Sequence, residues 1–439
     1  MKRLLGVLLV VALIGAFSAT SFALDVKFSG EYYAAGMYLD KTSLRKDVSD
    51  EGPSTAFYYQ RLRVRTDFTV SPGLTLITRF DAMERAWGAQ RSDVPLVTTL
   101  AADSAGSRAE NENIAFDWAY VNYKSPIGVF NLGIMNKGTT GTAFGNNIQP
   151  AARIKYAYTY GPVFIEGNIS KLKESSRTAI NMAGVADADN DEYGIEGVYS
   201  WKTGKAGLYV VYSRAAETRP TANYQKKFWQ FTPYAFAKFG PVALQAEVNY
   251  VTGKEREYDN GIGDITLDNL SAYVDALADF GMLYAGGTVA YVSGDDPGTA
   301  DKREGGTLTG GRDWQPCLIM WNYERTNWAG NLTGYNNAAQ DTRMANGYLF
   351  QIRGGVKPVA ALNIMASVSY AQVDKKPANF LNGDYGYEVD LTATYKITNN
   401  LSYMLGAGYL FTGDYYKGQS DANHLSNDFL VLNKLTLTF

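Results

Sequence analysis

Apolar and polar side chains alternate with a period of two along most of the chain from Val26 to Phe439, and helical periodicity is scarce. Successive side chains of an extended strand point to opposite faces, so this pattern demands a sheet with two chemically different sides. The clearest stretch runs from Arg61 to Val70. Leu62, Val64, Phe68 and Val70 share one face, and Arg61, Arg63, Arg65 and Asp67 share the other. A soluble two-sheet sandwich also alternates, but its strands usually hold five or six residues. The segments here run about nine to fourteen, the length a tilted strand needs to cross hydrocarbon.

The connections carry the second signal. Short ones such as Ser71-Pro72-Gly73, Ser125-Pro126-Ile127, Tyr160-Gly161-Pro162 and Phe239-Gly240-Pro241 have turn chemistry, since proline presets φ and glycine tolerates positive φ. Longer polar stretches alternate with them, at roughly 37–56, 86–113, 137–150, 173–190, 217–226, 252–266, 293–344, 374–383 and 412–426. Eighteen strands fit between eight short turns and nine long loops; sixteen is the alternative if one hairpin is misread. The expected fold is all-β: a transmembrane antiparallel β-barrel with short periplasmic turns and long extracellular loops. Lipid offers no hydrogen-bond partner, so such a sheet must close on itself and leave no edge. A barrel this wide cannot be filled by its wall side chains and keeps an aqueous lumen unless something plugs it.

Both chain ends agree with that reading. Lys2 and Arg3 precede an apolar run from Leu4 to Phe17, too short to span a bilayer, and Ser21-Phe22-Ala23 supplies a signal-peptidase site. Residues 1–23 therefore read as a cleaved signal peptide and 24–439 as a single barrel domain, because no linker or low-complexity tract divides it. At the other end Phe429, Val431, Leu435, Leu437 and Phe439 occupy one face of the last strand, so the chain ends on an aromatic residue in the lipid-facing register.

Composition narrows the function. Mean hydropathy is −0.22, yet 13% of residues are aromatic and 32 are tyrosine, which suits a barrel wall with aromatic girdles. A formal charge of −3 gives no sign of nucleic-acid binding. A single cysteine, Cys317, excludes an intramolecular disulfide framework, and with a single histidine, His424, it excludes the usual zinc clusters, so no metal or cofactor is expected.

If the apolar face meets lipid, the other lines the lumen. Arg61, Arg63, Arg65 and Asp67 then point inward from the second strand, Arg79, Asp81 and Arg85 from the third, Arg153 and Lys155 from the sixth, and Arg353 from a later one. Asp117, Glu166, Glu196, Glu388 and Asp390 are the acidic lumen candidates. Neighbouring second and third strands would join five arginines into one basic wall, and such a wall attracts solutes of opposite charge. The competing reading pairs these arginines with Asp67, Asp81 and other wall carboxylates, leaving a lumen that is merely wet.

Two loops draw notice. The small, flexible stretch Lys137–Asn147 in the third long loop either folds into the pore or lies exposed. The longest loop, about 293–344, carries Asp295, Asp296, Asp301, Glu304 and Asp313, then Trp314, Trp321 and Trp328. Clustered carboxylates could hold calcium weakly, although solvated acids are the favoured reading. Three tryptophans are costly to expose, so they should pack as a lid, a lumen-filling cluster or a sugar-stacking surface. His424, with Ser420, Asp421, Ser426 and Asp428 around it, is too loose an array for a hydrolytic triad, and no nucleophile elbow or phosphate-binding loop appears. No enzyme is expected.

The mature chain as a whole resembles Gram-negative outer-membrane porins, and within them the eighteen-stranded alginate-export-like group. Arg61-Leu62-Arg63-Val64-Arg65 and Tyr291-Val292-Ser293-Gly294-Asp295-Asp296 carry that likeness. The chain departs from it at Asp313-Trp314-Gln315-Pro316-Cys317-Leu318, where a Phe-x-Pro-Leu-Phe-Pro-like stretch would stand. The resemblance implies a bacterial outer-membrane channel passing small hydrophilic solutes by diffusion, with a modest preference for anions such as carboxylates or acidic sugars. It implies that Arg61, Arg63, Arg65 and Arg79 are lumen contacts. Its partners would be outer-membrane lipids, the solutes, and the barrel-assembly machinery acting through Phe439, with a homotrimer open to it. A surface receptor or adhesin working through its long loops is the alternative.

Overall fold

The computed structural model describes residues 25–46, 52–88, 114–138, 140–175, 188–306, 313–340 and 343–439. The leader expected over 1–23 lies outside the described residues. Each alternating segment is a strand. They are β1 (Asp25–Leu39), β2 (Thr55–Ser71), β3 (Leu74–Ala86), β4 (Ile114–Ser125), β5 (Gly128–Gly138), β6 (Asn147–Tyr160), β7 (Val163–Lys173), β8 (Asn190–Trp201) and β9 (Gly204–Ala215). There follow β10 (Tyr224–Phe239), β11 (Val242–Tyr258), β12 (Ile265–Asp279), β13 (Leu283–Val292), the two-residue β14 (Lys302–Arg303), β15 (Gly347–Val359), β16 (Leu362–Gln372), β17 (Asp384–Lys396), β18 (Leu401–Thr412) and β19 (Asp428–Thr438).

Apart from β14, every strand pairs antiparallel with its chain neighbours, and β13 pairs directly with β15. β1 pairs with β19 from Glu31↔Thr438 to Leu39↔Leu430, and the main chains of Gly30 and Phe439 exchange two further hydrogen bonds there. The sheet is thus a closed eighteen-stranded barrel without a free edge, as the hairpin rhythm predicts. Several strands outrun their expected limits at the long-loop end: β11 reaches Tyr258 rather than 251.

The two faces differ as the alternation requires. On β7, Ile165 and Ile169 are about half exposed on the outside while Glu166, Asn168 and Ser170 are buried inside. Phe28, Phe116, Leu132, Ile154, Ile195 and Ile352 continue an apolar outer surface of the kind that only hydrocarbon solvates. Outward aromatic pairs stand near both ends of the strands. Tyr123, Phe130 and Tyr156 cluster by the short turns, and by the long loops Tyr58 stacks on Trp87 and Tyr370 meets Tyr387 at a tilt.

The hydrophobic core lies inside the barrel, at the long-loop end. It forms around the loop between β13 and β15, whose Ile319, Met320, Trp321 and Trp328 pack against inward wall residues including Tyr59 and Tyr385. The turn Tyr323–Ala329 of this loop is helical, with the Asn322 side chain accepting from the Arg325 amide at 2.8 Å as its N-cap. The expected lumen-filling cluster is therefore the fate of all three tryptophans.

Candidate functional site

Within the long loop between β13 and β15, residues 313–340 occupy the lumen against the wall from β12 round to β2. Three sets of contacts hold it. Both carboxylate oxygens of Glu388 on β17 accept backbone N–H groups, from Ile319 at 2.6 Å and Met320 at 2.7 Å. The Gln351 side chain donates to the Pro316 carbonyl at 2.6 Å. Arg325, 1% exposed, faces Asp428 at 3.7 Å and donates to the Gly330 carbonyl, while Lys434 binds both oxygens of Glu324.

Cys317 sits beside Glu388 and Asp390, their nearest ligand-type atoms within 4.8 Å of one another. Burial, reinforced by the charge of Glu388, pushes the Cys317 thiol well above its ordinary pKa. The Glu388 oxygens are engaged by the loop amides, so the wall acids seat the loop at Cys317.

Acids nearer the start of the loop are absorbed locally. Asp295 pairs with Arg303 and accepts the Glu304 amide at 2.8 Å, Glu304 pairs with Lys302, and Asp296 accepts the Gly298 amide. His424 offers its main-chain carbonyl to Lys46 and Tyr335, and Asp428 is turned inward onto Arg325. The loose serine, histidine and aspartate array of the last loop is not gathered into one site.

The third long loop also turns inward. Glu247 on β11 accepts the amide and hydroxyl of Thr142 at 2.5 and 2.8 Å, across a sequence separation of 105. Phe144 is fully buried, stacked on Tyr273 of β12 at 5.0 Å and edge-on to Trp314 at 5.1 Å. A Cβ on Gly141 or Gly145 would stand against a Glu247 carboxylate oxygen and push that side chain off Thr142. Gly141 also has φ of +87°. Gly145→Val is expected to free this loop while the barrel persists. Limited proteolysis between Lys137 and Asn147 checks this, and unchanged resistance would count against it.

Between the long loop and β1–β4 lies a cleft of about 330 Å³. Arg61, Arg63, Asp81, Glu84 and Asp117 face it from the wall, and Asp313, Glu324 and Trp328 from the loop. The basic wall exists here, but every member of it is paired. Arg63 grips Asp81 through two bonds of 2.6 Å, Arg65 grips Asp67 at 2.7 and 3.0 Å, and Arg79 pairs with Asp117. Arg61 meets Glu31 at 3.2 Å and Glu84 at 4.0 Å, with its guanidinium over the Tyr33 ring, and Arg79 lies over Trp118. Elsewhere Lys155 pairs with Glu166, Arg353 with Asp275, and Arg153 donates to Ser170 and to the Asn136 and Lys137 carbonyls. Nine of the ten basic and acidic positions read from the alternation lie on the inward face of their strands.

Arg85 does not. Leu62 pairs with Ala82, but Gln60 pairs with Arg85, so β3 carries an extra residue around Met83, whose φ is +53°. This bulge flips the parity: Glu84 takes the lumen position, and Arg85 lies opposite Gln60 on the outward side. No glycine or proline marks the bulge, so the sequence offers no local signal for it. Glu31, Glu324 and Lys434 were also missed, since each needs a partner 30 or 110 residues away.

No family profile matches this chain, and no curated protein does. Solved structures do match in fold. OccAB3 from Acinetobacter baumannii has a TM-score of 0.55 at 10% identity, over 94% of this chain and 100% of that one. OccK9 (OpdG) from Pseudomonas aeruginosa gives 0.54 at 13%, over 94% and 99%. OccK2 (OpdF) from the same bacterium, solved in complex with glucuronate, gives 0.52 at 10%, over 94% and 97%. The chain has the closed eighteen-stranded barrel fold of these structures.

Proposed function

We propose that the protein is an outer-membrane porin, a passive diffusion channel for small hydrophilic solutes with a modest preference for anions. One observation carries the reading: a wide closed barrel is narrowed by an inward loop to a charged cleft beside a ladder of arginines. A chain built as a plugged receptor would gain nothing from charges arrayed along the remaining gap.

The arginines are held by carboxylates, and the cleft lining sets Asp81, Glu84, Asp117, Asp313 and Glu324 against Arg61, Arg63 and Lys434, which is why the preference is modest. It is not abolished, because guanidinium carries five donors and a carboxylate clamp uses two. Arg63 and Arg65 each bind their acid through Nε and Nη2, which leaves Nη1 for a passing anion, whereas Arg79 is buried against Trp118. OccK2, a barrel of the same fold, was crystallised with glucuronate, and the alginate-export-like resemblance also points to acidic sugars. The arginine ladder suits that solute class.

Replacing Arg61, Arg63 and Arg65 together by glutamine leaves Glu31, Asp67, Asp81 and Glu84 without their cations. The anion/cation permeability ratio in planar bilayers should fall several-fold and cross to cation selectivity. An unchanged ratio would remove the ladder as a selectivity device, and absence of any conductance in the parent protein would favour a receptor acting through its loops.

A further inference from the structure

The two inward loops meet at Phe144 and Trp314 on the β12 wall, so together they divide the lumen. The charged cleft lies on the β1–β4 side. On the other side, between the third loop and β8–β11, lies a second cleft of about 340 Å³, a volume at the small end of ligand sites. Its chemistry is different. Tyr209, Ser213, Phe228, Gln230, Thr232 and Asn249 give it hydroxyls, side-chain amides and two aromatic rings.

The charges that reach this cleft are already occupied. Lys137 pairs with Glu192 at 2.5 Å, Arg343 is partnered, and Glu247 binds Thr142 and the Asn249 amide. The neutral groups form a fixed chain: Gln230 Nε2 donates to Thr232 Oγ1 at 3.1 Å, and Thr232 Oγ1 donates to Asn249 Oδ1 at 2.7 Å. Among the described residues, the Gln230 side-chain carbonyl accepts no bond, so an acceptor is left over at the cleft. Preorganised amides and hydroxyls beside aromatic faces match a molecule that is uncharged, rich in hydroxyls and has apolar C–H faces.

We propose that this second cleft binds neutral polyhydroxylated solutes of hexose size, separately from the charged cleft. It rests on the channel reading only for the solute's access to the lumen.

Glucose and glucuronate are matched probes, since they differ by one carboxylate. In saturation-transfer NMR on the full mature chain in detergent, glucose should bind, and Gln230→Leu or Ser213→Trp should weaken it about tenfold. Neither change should alter the block of ion current by glucuronate, which Arg63→Gln should reduce. Two variants guard against a folding defect, and heat-modifiable mobility on gels shows that each barrel has closed. Glucose binding that is absent in the parent, or unchanged in both variants, overturns the proposal. Equal loss of the glucuronate block in those variants overturns it too, because the clefts would then be one. Glucose binding without any conductance would keep the cleft and sink the channel.

Discussion

Glu388→Ala is expected to open the lumen. The substitution strands the buried amides of Ile319 and Met320, which Glu388 alone satisfies. Each orphaned buried donor costs ~1–3 kcal/mol, so the docked loop loses about 2–6 kcal/mol. That shifts the docked-to-released ratio by roughly 30-fold to tens of thousands-fold. The barrel should survive, because its wall hydrogen bonds do not pass through the loop. Single-channel recording should show a larger conducting state, several times the parent's, and amide exchange at Ile319 and Met320 should lose its protection. Glu388→Gln keeps one acceptor and should fall between. If conductance and protection both stay at parental values, the clamp is not what holds the loop.

Phe144→Ala should have the next largest effect. The ring is fully buried between Tyr273 and Trp314 and is the contact by which one inward loop rests on the other. Truncating a buried phenylalanine costs about 3–5 kcal/mol, most of it here charged to loop docking and not to the barrel. The partition should fail, the clefts should merge, and conductance should rise together with proteolytic access to the third loop. Phe144→Leu fills most of the space and should behave nearly as the parent. A double-mutant cycle with Trp314→Ala isolates the ring contact, with a coupling of roughly 0.5–1.5 kcal/mol. Purely additive effects would mean that the two loops hold their places independently.

What could be read in the sequence was local. A strand of period two has its faces assigned residue by residue, so Arg61, Arg63, Arg65, Arg79, Arg153, Lys155 and Arg353 could be placed inside before any fold was known. Turn chemistry is equally local, and it yields eight short connections and hence eighteen strands. The one misplaced side chain, Arg85, follows from the same rule applied across a bulge at Met83 that no glycine or proline announces.

The tertiary structure decided everything that depends on contacts across the lumen. The sequence left the third loop open between inward and exposed, and the answer lies in Thr142 meeting Glu247. It left three fates for the tryptophans, and the wall partners Tyr59, Tyr273 and Tyr385 selected one. It left the arginines either free or paired, and the pairing depends on strand register, which sets Arg63 opposite Asp81. Alternation over membrane-spanning segments, punctuated by local turn chemistry, determined the barrel, because each strand encodes its own two faces and each turn its own hairpin. The clefts depend on loops whose partners sit on strands far away in the chain, and only closure of the barrel brings those partners within reach.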